Sequence, residues 1–291
     1  ERGAAIIKLG LLMYDAYTGN ERTVPRHEFL LRDAALRRYP QLNREIVSIA
    51  EYYDGLIRSP ERLCLELIAD AEAASPTALA INYVSVIGAA GMQVRLQDET
   101  SGETFVVQPQ IVINAAGPWI DFANQAMGQP SHFIGGTKGS HLVLDHPELR
   151  SAIGEHEFFF ENKDGRIVLI CPLEERVLVG TSDIRIDDPD QAICTDEEID
   201  YFLSMTARVF PALKVGREHI VFTFSGVRPL PAADAKTTGQ ISRDHSIEVV
   251  EPSDHVHFPV LNLIGGKWTT FRAFAEQTAD RVLQRLQQTR K

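Results

Sequence analysis

Long apolar runs are missing from this sequence. None reaches the roughly 18 residues that a membrane-crossing helix needs, so no membrane span is expected. Cysteine is scarce: Cys64, Cys171 and Cys194 lie far apart, with no CxxC pair and no metal-ligand spacing. That argues against a metal site and fits a reducing compartment, with the thiols expected to be buried as small hydrophobes. Positive charge is in short supply. The formal net charge is −11, which argues against broad nucleic-acid binding. An acidic protein that binds an anion must gather its few cations at the site, so local Arg and Lys clusters carry weight. No low-complexity tract, internal repeat or signal peptide is evident. The chain opens on Glu1-Arg2-Gly3 without Met, as expected of a piece of a longer protein.

What is present suffices for a folded core. The chain has 291 residues, 44% of them hydrophobic, enough for one large domain or two ordinary ones. Helical spacing predicts a helix over residues 4–17 and a second from Pro25 to about Tyr39-Pro40. Ser59-Pro60-Glu61 supplies a cap, a first-turn proline and an acid for a helix over 60–74, with Leu63, Leu67 and Ala71 on one face. The period then falls to two, which predicts strands over 80–86, 92–97 and 104–108 around a Ser101-Gly102 turn. Residues 110–114 form an apolar run of the kind buried on both faces, followed by a helix to about Met127. Residues 128–256 read as strand-rich with one helix, 196–209. A strand over 260–264, a glycine turn and a helix from Trp268 to about Gln287 close the chain. Alternating strands and helices define the class as mixed α/β.

The strongest local motif is Leu261-Asn262-Leu263-Ile264-Gly265-Gly266-Lys267-Trp268-Thr269-Thr270-Phe271. Two glycines between a buried strand and a helix let another molecule approach the backbone, and the helix start offers N–H groups to an anion or a reduced flavin. The spacing is not that of a Walker loop, which would need glycine in place of Leu261. A plain strand–turn–helix corner would look similar. Asn114-Ala115-Ala116-Gly117-Pro118-Trp119 repeats the theme: small residues at the C-terminal edge of a buried strand, where α/β folds place ligands, or simply close helix–sheet packing. In Gly135-Gly136-Thr137-Lys138-Gly139-Ser140-His141, His141 stands at a strand entry as a base or as a structural histidine. Arg228, in Ser225-Gly226-Val227-Arg228-Pro229-Leu230, and Arg243, in Ile241-Ser242-Arg243-Asp244-His245, each end a short strand. Converging with Lys267 they would bind phosphate; apart they are surface ion pairs. Gly180-Thr181-Ser182-Asp183 reads as a turn after a strand. His255-x-His257 lacks a third ligand, so no metal is expected. No GxGxxG follows a strand anywhere, so the ordinary pyrophosphate seat is missing.

In order along the chain, Leu9-Gly10-Leu11-Leu12-Met13-Tyr14-Asp15, Tyr53-Asp54-Gly55, Arg62-Leu63, Asp70-Ala71, Asn82-Tyr83, Asn114-Ala115-Ala116-Gly117-Pro118-Trp119, Lys138-Gly139-Ser140-His141, Gly180-Thr181-Ser182-Asp183, Ser225-Gly226-Val227-Arg228-Pro229-Leu230 and Gly265-Gly266-Lys267-Trp268-Thr269-Thr270 resemble the aerobic, FAD-dependent glycerol-3-phosphate dehydrogenases. The resemblance implies an α/β (α+β) architecture. Part of a FAD/NAD(P)-binding domain of the glutathione-reductase-like, D-amino acid oxidase type would span residues 59–128 and 257–291. A mixed-sheet substrate domain would span 1–58 and 129–256. It implies FAD contacts from Val86, Ala115, Gly117, Gly266, Lys267, Trp268 and Thr269, and substrate contacts from Arg228, Arg243 and Lys267. The catalytic base would be His141 or Arg228.

The activity implied is oxidation of sn-glycerol 3-phosphate to dihydroxyacetone phosphate, with electrons passed to quinone, in the bacterial cytoplasm or on the cytoplasmic face of the inner membrane. A peripheral membrane contact and a homodimer go with it; nucleic acid does not. An oxidase passing electrons to oxygen, or a relative acting on hydroxy acids or amines, could share every motif. Family members begin with a strand–GxGxxG–helix unit and end with a helical cap, neither of which is in this sequence. Pro60 and Ser75-Pro76 stand where the family usually has Asp and Gly-Ala. The isolated piece is therefore expected to hold no FAD and to be inactive, and a non-catalytic domain is the alternative from another class.

Overall fold

The computed structural model describes residues 3–19, 23–161, 167–233, 241–242 and 244–290. Helix α1 (Ala4–Thr18) opens the chain, followed by β1 (Glu28–Leu31), α2 (Arg32–Arg38), β2 (Ser48–Glu51) and α3 (Pro60–Ala74). Three strands follow, β3 (Val84–Ala90), β4 (Gln93–Asp98) and β5 (Thr104–Val107), then β6 (Val112–Asn114) and α4 (Ile120–Ala126). The middle of the chain holds β7 (Thr137–Leu144), α5 (Pro147–Ile153), β8 (Phe158–Glu161), β9 (Ile167–Leu173), β10 (Arg176–Gly180), β11 (Ile184–Arg185) and α6 (Asp196–Val209). The last elements are β12 (Ile220–Arg228), β13 (Ser246–Val250), β14 (Val260–Ile264) and α7 (Phe271–Arg285).

The chain divides into two compact units. Unit 1 is Glu1–Ile57, Gly139–Asp183 and Ala192–Gly226; unit 2 is Arg58–Lys138, Ile184–Gln191 and Val227–Lys291. In unit 1, β10 pairs antiparallel with β7 and with β9, and β8 pairs with β9. One apolar core lies within it, built on Leu142, Leu144, Ile153, Val168, Ile170, Val177, Phe202 and Phe210. Phe202 comes from α6, which starts on a complete capping box: the Thr195 side chain accepts from Glu198 N and the Glu198 carboxylate accepts from Thr195 N.

Unit 2 holds two small sheets. One is antiparallel, β3–β4–β5; the other is mixed, β13–β14–β6, with β14 and β6 parallel. Val94, Met127, Val256, Phe258 and Val260 form one core cluster, and Ile120, Ile134 and Ile264 a second. The first residues of β7, Thr137 and Lys138, pair with β11.

Several elements depart from the sequence expectations. Residues 28–31 are a strand rather than part of a helix begun at Pro25, because β1 pairs residue for residue with β2, a partner that local spacing cannot reveal. Tyr83 takes a positive φ of 56°, which holds residues 80–83 out of β3. The stretch after residue 128 contains α5 besides α6, capped by the His146 ring accepting from Leu149 N. The β6 run is not buried on both faces: β6 is the edge of its sheet and Ile113 is 47% exposed. Cys64 is exposed on α3 rather than buried. No helix among the described residues is long and apolar enough to cross a membrane.

Candidate functional site

The candidate site grows from one feature of unit 2. Because β6 and β14 are parallel neighbours, with Val260 opposite Val112 and Asn262 opposite Asn114, their C-terminal ends fall on the same edge. The two small-residue loops that follow them, Ala115–Trp119 and Gly265–Trp268, therefore leave the sheet side by side, where open α/β sheets place ligands.

The first loop runs from Asn114, whose Oδ1 accepts from Ala116 N at 3.2 Å, into a 3-10 turn over Gly117–Trp119 and then α4. Gly117 has φ +58° with nothing within 4 Å of the place a Cβ would occupy, so open space lies against its backbone. In the second loop both glycines take left-handed backbone, φ +74° at Gly265 and +96° at Gly266. A Cβ on Gly265 would lie 2.7 Å from the Asp244 carbonyl oxygen, and Gly265 N donates to Pro229 O at 3.0 Å. Only glycine fits there. Lys267, Trp268 and Thr269 are exposed at the start of the helical turn that leads into α7. Lys267 N donates to Thr270 Oγ1, and Thr270 N to the Lys267 carbonyl. The N–H groups of Trp268 and Thr269 are thus the ones that the first turn leaves for an outside acceptor, at the positive end of a 15-residue helix.

Gly265 also adjoins the end of β12. Its bond to Pro229 sets it beside Arg228, the last residue of β12. Arg243, the third expected cation, lies outside the described residues. Val86 lies in β3 opposite Leu96, packs against the Val94 and Phe258 cluster, and precedes a register shift before Gly88. A cleft of about 710 Å³, within the usual ligand-pocket range, is lined within unit 2 by Pro118, Asp121, His132, Gly136, Arg185 and Val227, among others. Nothing in the sequence pointed to Arg185 as a cleft residue, since β11 is only two residues long.

In unit 1, His141 lies inside β7 rather than at its entry, opposite Gly180. Its ring stacks on Phe224 at 4.9 Å and 13°, and a side chain at position 180 would collide with it. The strand beside it is held by a buried chain of hydrogen bonds that the sequence reading missed. Ser140 N donates to Ser182 Oγ, Ser182 Oγ donates to Glu198 Oε1 at 2.5 Å, and Ser140 Oγ meets Ser225 Oγ at 2.7 Å. Thr195-x-x-Glu198 was readable as a capping box, but its reach to Ser182 was not.

The class follows from comparison with known proteins. The chain belongs to the FAD-dependent oxidoreductase family, whose model matches residues 9–281. Within that class it is 36% identical to a glycerol-3-phosphate dehydrogenase of Synechocystis, over 97% of this chain and 53% of the relative. It is 30% identical to a D-erythritol 1-phosphate dehydrogenase of Brucella abortus, over 97% of this chain and 55% of the relative. A solved glycerol-3-phosphate dehydrogenase from Bacillus halodurans, complexed with FAD, superposes with a TM-score of 0.71 at 25% identity, covering 90% of this chain and 50% of the other. The chain thus spans about half the length of these proteins.

FAD is the cofactor of the family, and the residues present fit it. Two loops of small residues on one sheet edge, open space against the Gly117 backbone and a helix start whose first N–H groups have no partner among the described residues form a cradle that a larger side chain at residue 117 would fill.

Proposed function

We propose that this chain belongs to a flavoenzyme that oxidises sn-glycerol 3-phosphate to dihydroxyacetone phosphate and passes the electrons to quinone. FAD supplies the hydride acceptor when bound. In this reading unit 2 contributes the flavin side through Ala115, Gly117, Gly266, Lys267, Trp268 and Thr269, with Val86 toward the adenine end. Arg228 and Lys267 hold the phosphate, joined by Arg243 on the strength of the resemblance. The guanidinium fork suits phosphate oxygens, and Lys267 adds a point charge at a helix N-terminus. By resemblance His141 accepts the hydroxyl proton; Arg228, already protonated as a partner of the phosphate, has no acceptor for it. The substrate domain accounts for residues 1–58 and 129–256. A cytoplasmic setting, peripheral membrane contact and a homodimer go with this reading.

The observation that supports it most is the meeting at Gly265, which sets the Arg228 end of β12 beside the Gly266-Lys267 turn. A charge-assisted hydrogen bond contributes about 1.5–3 kcal/mol, so Lys267→Ala and Arg228→Ala should each raise KM for glycerol 3-phosphate roughly 10- to 100-fold in the flavin-loaded protein. Glycerol, which lacks the phosphate, should be oxidised poorly by wild type, and Arg228→Ala should change that rate far less than it changes the rate with glycerol 3-phosphate. An unchanged KM in both variants would remove the phosphate assignment. Better turnover of D-erythritol 1-phosphate than of glycerol 3-phosphate would move the substrate to a longer polyol phosphate.

A further inference from the structure

Three asparagines meet inside unit 2. Asn114, Asn124 and Asn262 are 5%, 0% and 0% exposed and come from the end of β6, from α4 and from the middle of β14. Asn114 Nδ2 lies within reach of Asn124 Oδ1 at 2.9 Å, Asn262 Oδ1 at 3.1 Å and the Ile120 carbonyl at 3.0 Å. Asn124 Nδ2 donates to Asn262 Oδ1 and to Ser131 Oγ, both at 2.8 Å. Asn262 Nδ2 faces the carbonyls of Glu248 and Val260 at 3.2 and 3.4 Å. Turning the Asn262 amide over would set its NH2 against the Asn114 and Asn124 donors and its oxygen against two carbonyls, so the orientation is fixed by its partners. Ser131 Oγ donates a hydrogen bond to Asp121 Oδ1, and that carboxylate also accepts from Phe133 N and Ile134 N.

Such a network is costly unless every member is satisfied, and apolar side chains would fill the same space at less risk. Its position explains its use. Asn114 holds the first residues of the Ala115–Trp119 loop through Ala116 N, and Asn262 stands three residues before Gly265 on the neighbouring strand. We infer that the Asn114–Asn124–Asn262 triad is a positioning device that locks the two cofactor loops to each other and to α4, so that the flavin cradle is set before the ligand arrives. This rests on the assignment of those loops to FAD given above. Rigid loops spare the ligand the cost of ordering them.

The test uses Asn124→Asp, which keeps the volume but replaces a donor with an acceptor facing Asn262 Oδ1. Hydrogen exchange of the intact protein should quicken at Ala116 and at Gly265 together, although the side-chain hydrogen bonds of Asn124 run to Asn114, Asn262 and Ser131 and not to the loops themselves. Acceleration confined to residues 120–134, or to one loop, would overturn the inference. Ser131→Ala, a milder change, removes the outer acceptor of Asn124 and one donor to Asp121 while leaving the three asparagines in place; it should show the same paired response, smaller in size. FAD titration gives the second readout. Asn124→Asp should bind FAD about 5- to 10-fold more weakly, the loss expected for one buried hydrogen bond. Unchanged affinity would overturn the positioning role. Gly266→Val separates the two readings: if it leaves FAD binding untouched, the loop assignment itself falls, whereas loss in Gly266→Val but not in Asn124→Asp removes the triad's role alone.

Discussion

The two units solve the problem of folding in different ways. Unit 1 relies on one continuous apolar core in which Leu142, Leu144, Val168, Val177, Phe202 and Phe210 meet. Unit 2 divides its apolar residues into two small clusters and places a polar network between a strand end and a helix. Apolar packing is strong but indifferent to direction, whereas hydrogen bonds fix where loops go. Unit 2 carries the loops that must present backbone to a cofactor, and there directional bonds and glycines replace bulk.

That contrast can be broken by substitution, with each unit followed through the exchange of its own amides, since two units need not unfold as one. The largest loss should come from Phe202→Ala, a fully buried side chain in unit 1: about 3–5 kcal/mol. A loss under ~1 kcal/mol would mean that the unit 1 core is not the tight body described. Next comes Gly265→Ala in unit 2, about 2–4 kcal/mol, because left-handed backbone and contact with the Asp244 carbonyl add together. The effect should be felt in unit 2 amides and leave unit 1 unmoved. Thr195→Ala removes one side of the α6 capping box and should cost about 1 kcal/mol in unit 1.

The smallest effect is one of pH. Asp98 accepts hydrogen bonds first from Thr100 and then from Ser101 at the β4–β5 turn, which holds its carboxyl down at about 2. Its contribution is present above the ordinary carboxylate range and is lost as pH falls through about 2. Asp98→Asn should flatten that acid response in the turn's exchange rates, and an unaltered profile would show that the bonds do not matter. Burial, with Glu157 nearby, pushes the Cys171 thiol up to about 12, so exposed Cys64 should react first with a thiol reagent at neutral pH.

Local signals carried much of this architecture. Pro60 and Glu61 marked the start of α3, Thr195 and Glu198 that of α6, and the 260–271 stretch gave β14, its glycine turn and the following helix nearly to the residue. What local signals could not carry was partnership. Residues 28–31 look helical until β2 is there to pair with them, and residues 110–114 look doubly buried until β6 proves to be an edge. The site shows the same division. Gly117, Gly265 and Gly266 stood out because the backbone they permit is rare. Asn124 gave no signal, since an asparagine in a short helix is ordinary. Asn262, polar within an apolar strand, was the clue that could have led to the triad, because a buried amide demands partners.

The most direct test is to add glycerol 3-phosphate without oxygen to the flavin-loaded full-length protein and record the visible flavin absorbance. The account predicts bleaching by glycerol 3-phosphate, little by glycerol, and a weakened response in Lys267→Ala. A flavin that stays yellow with every polyol phosphate, or bleaches equally with unphosphorylated substrates, would contradict it.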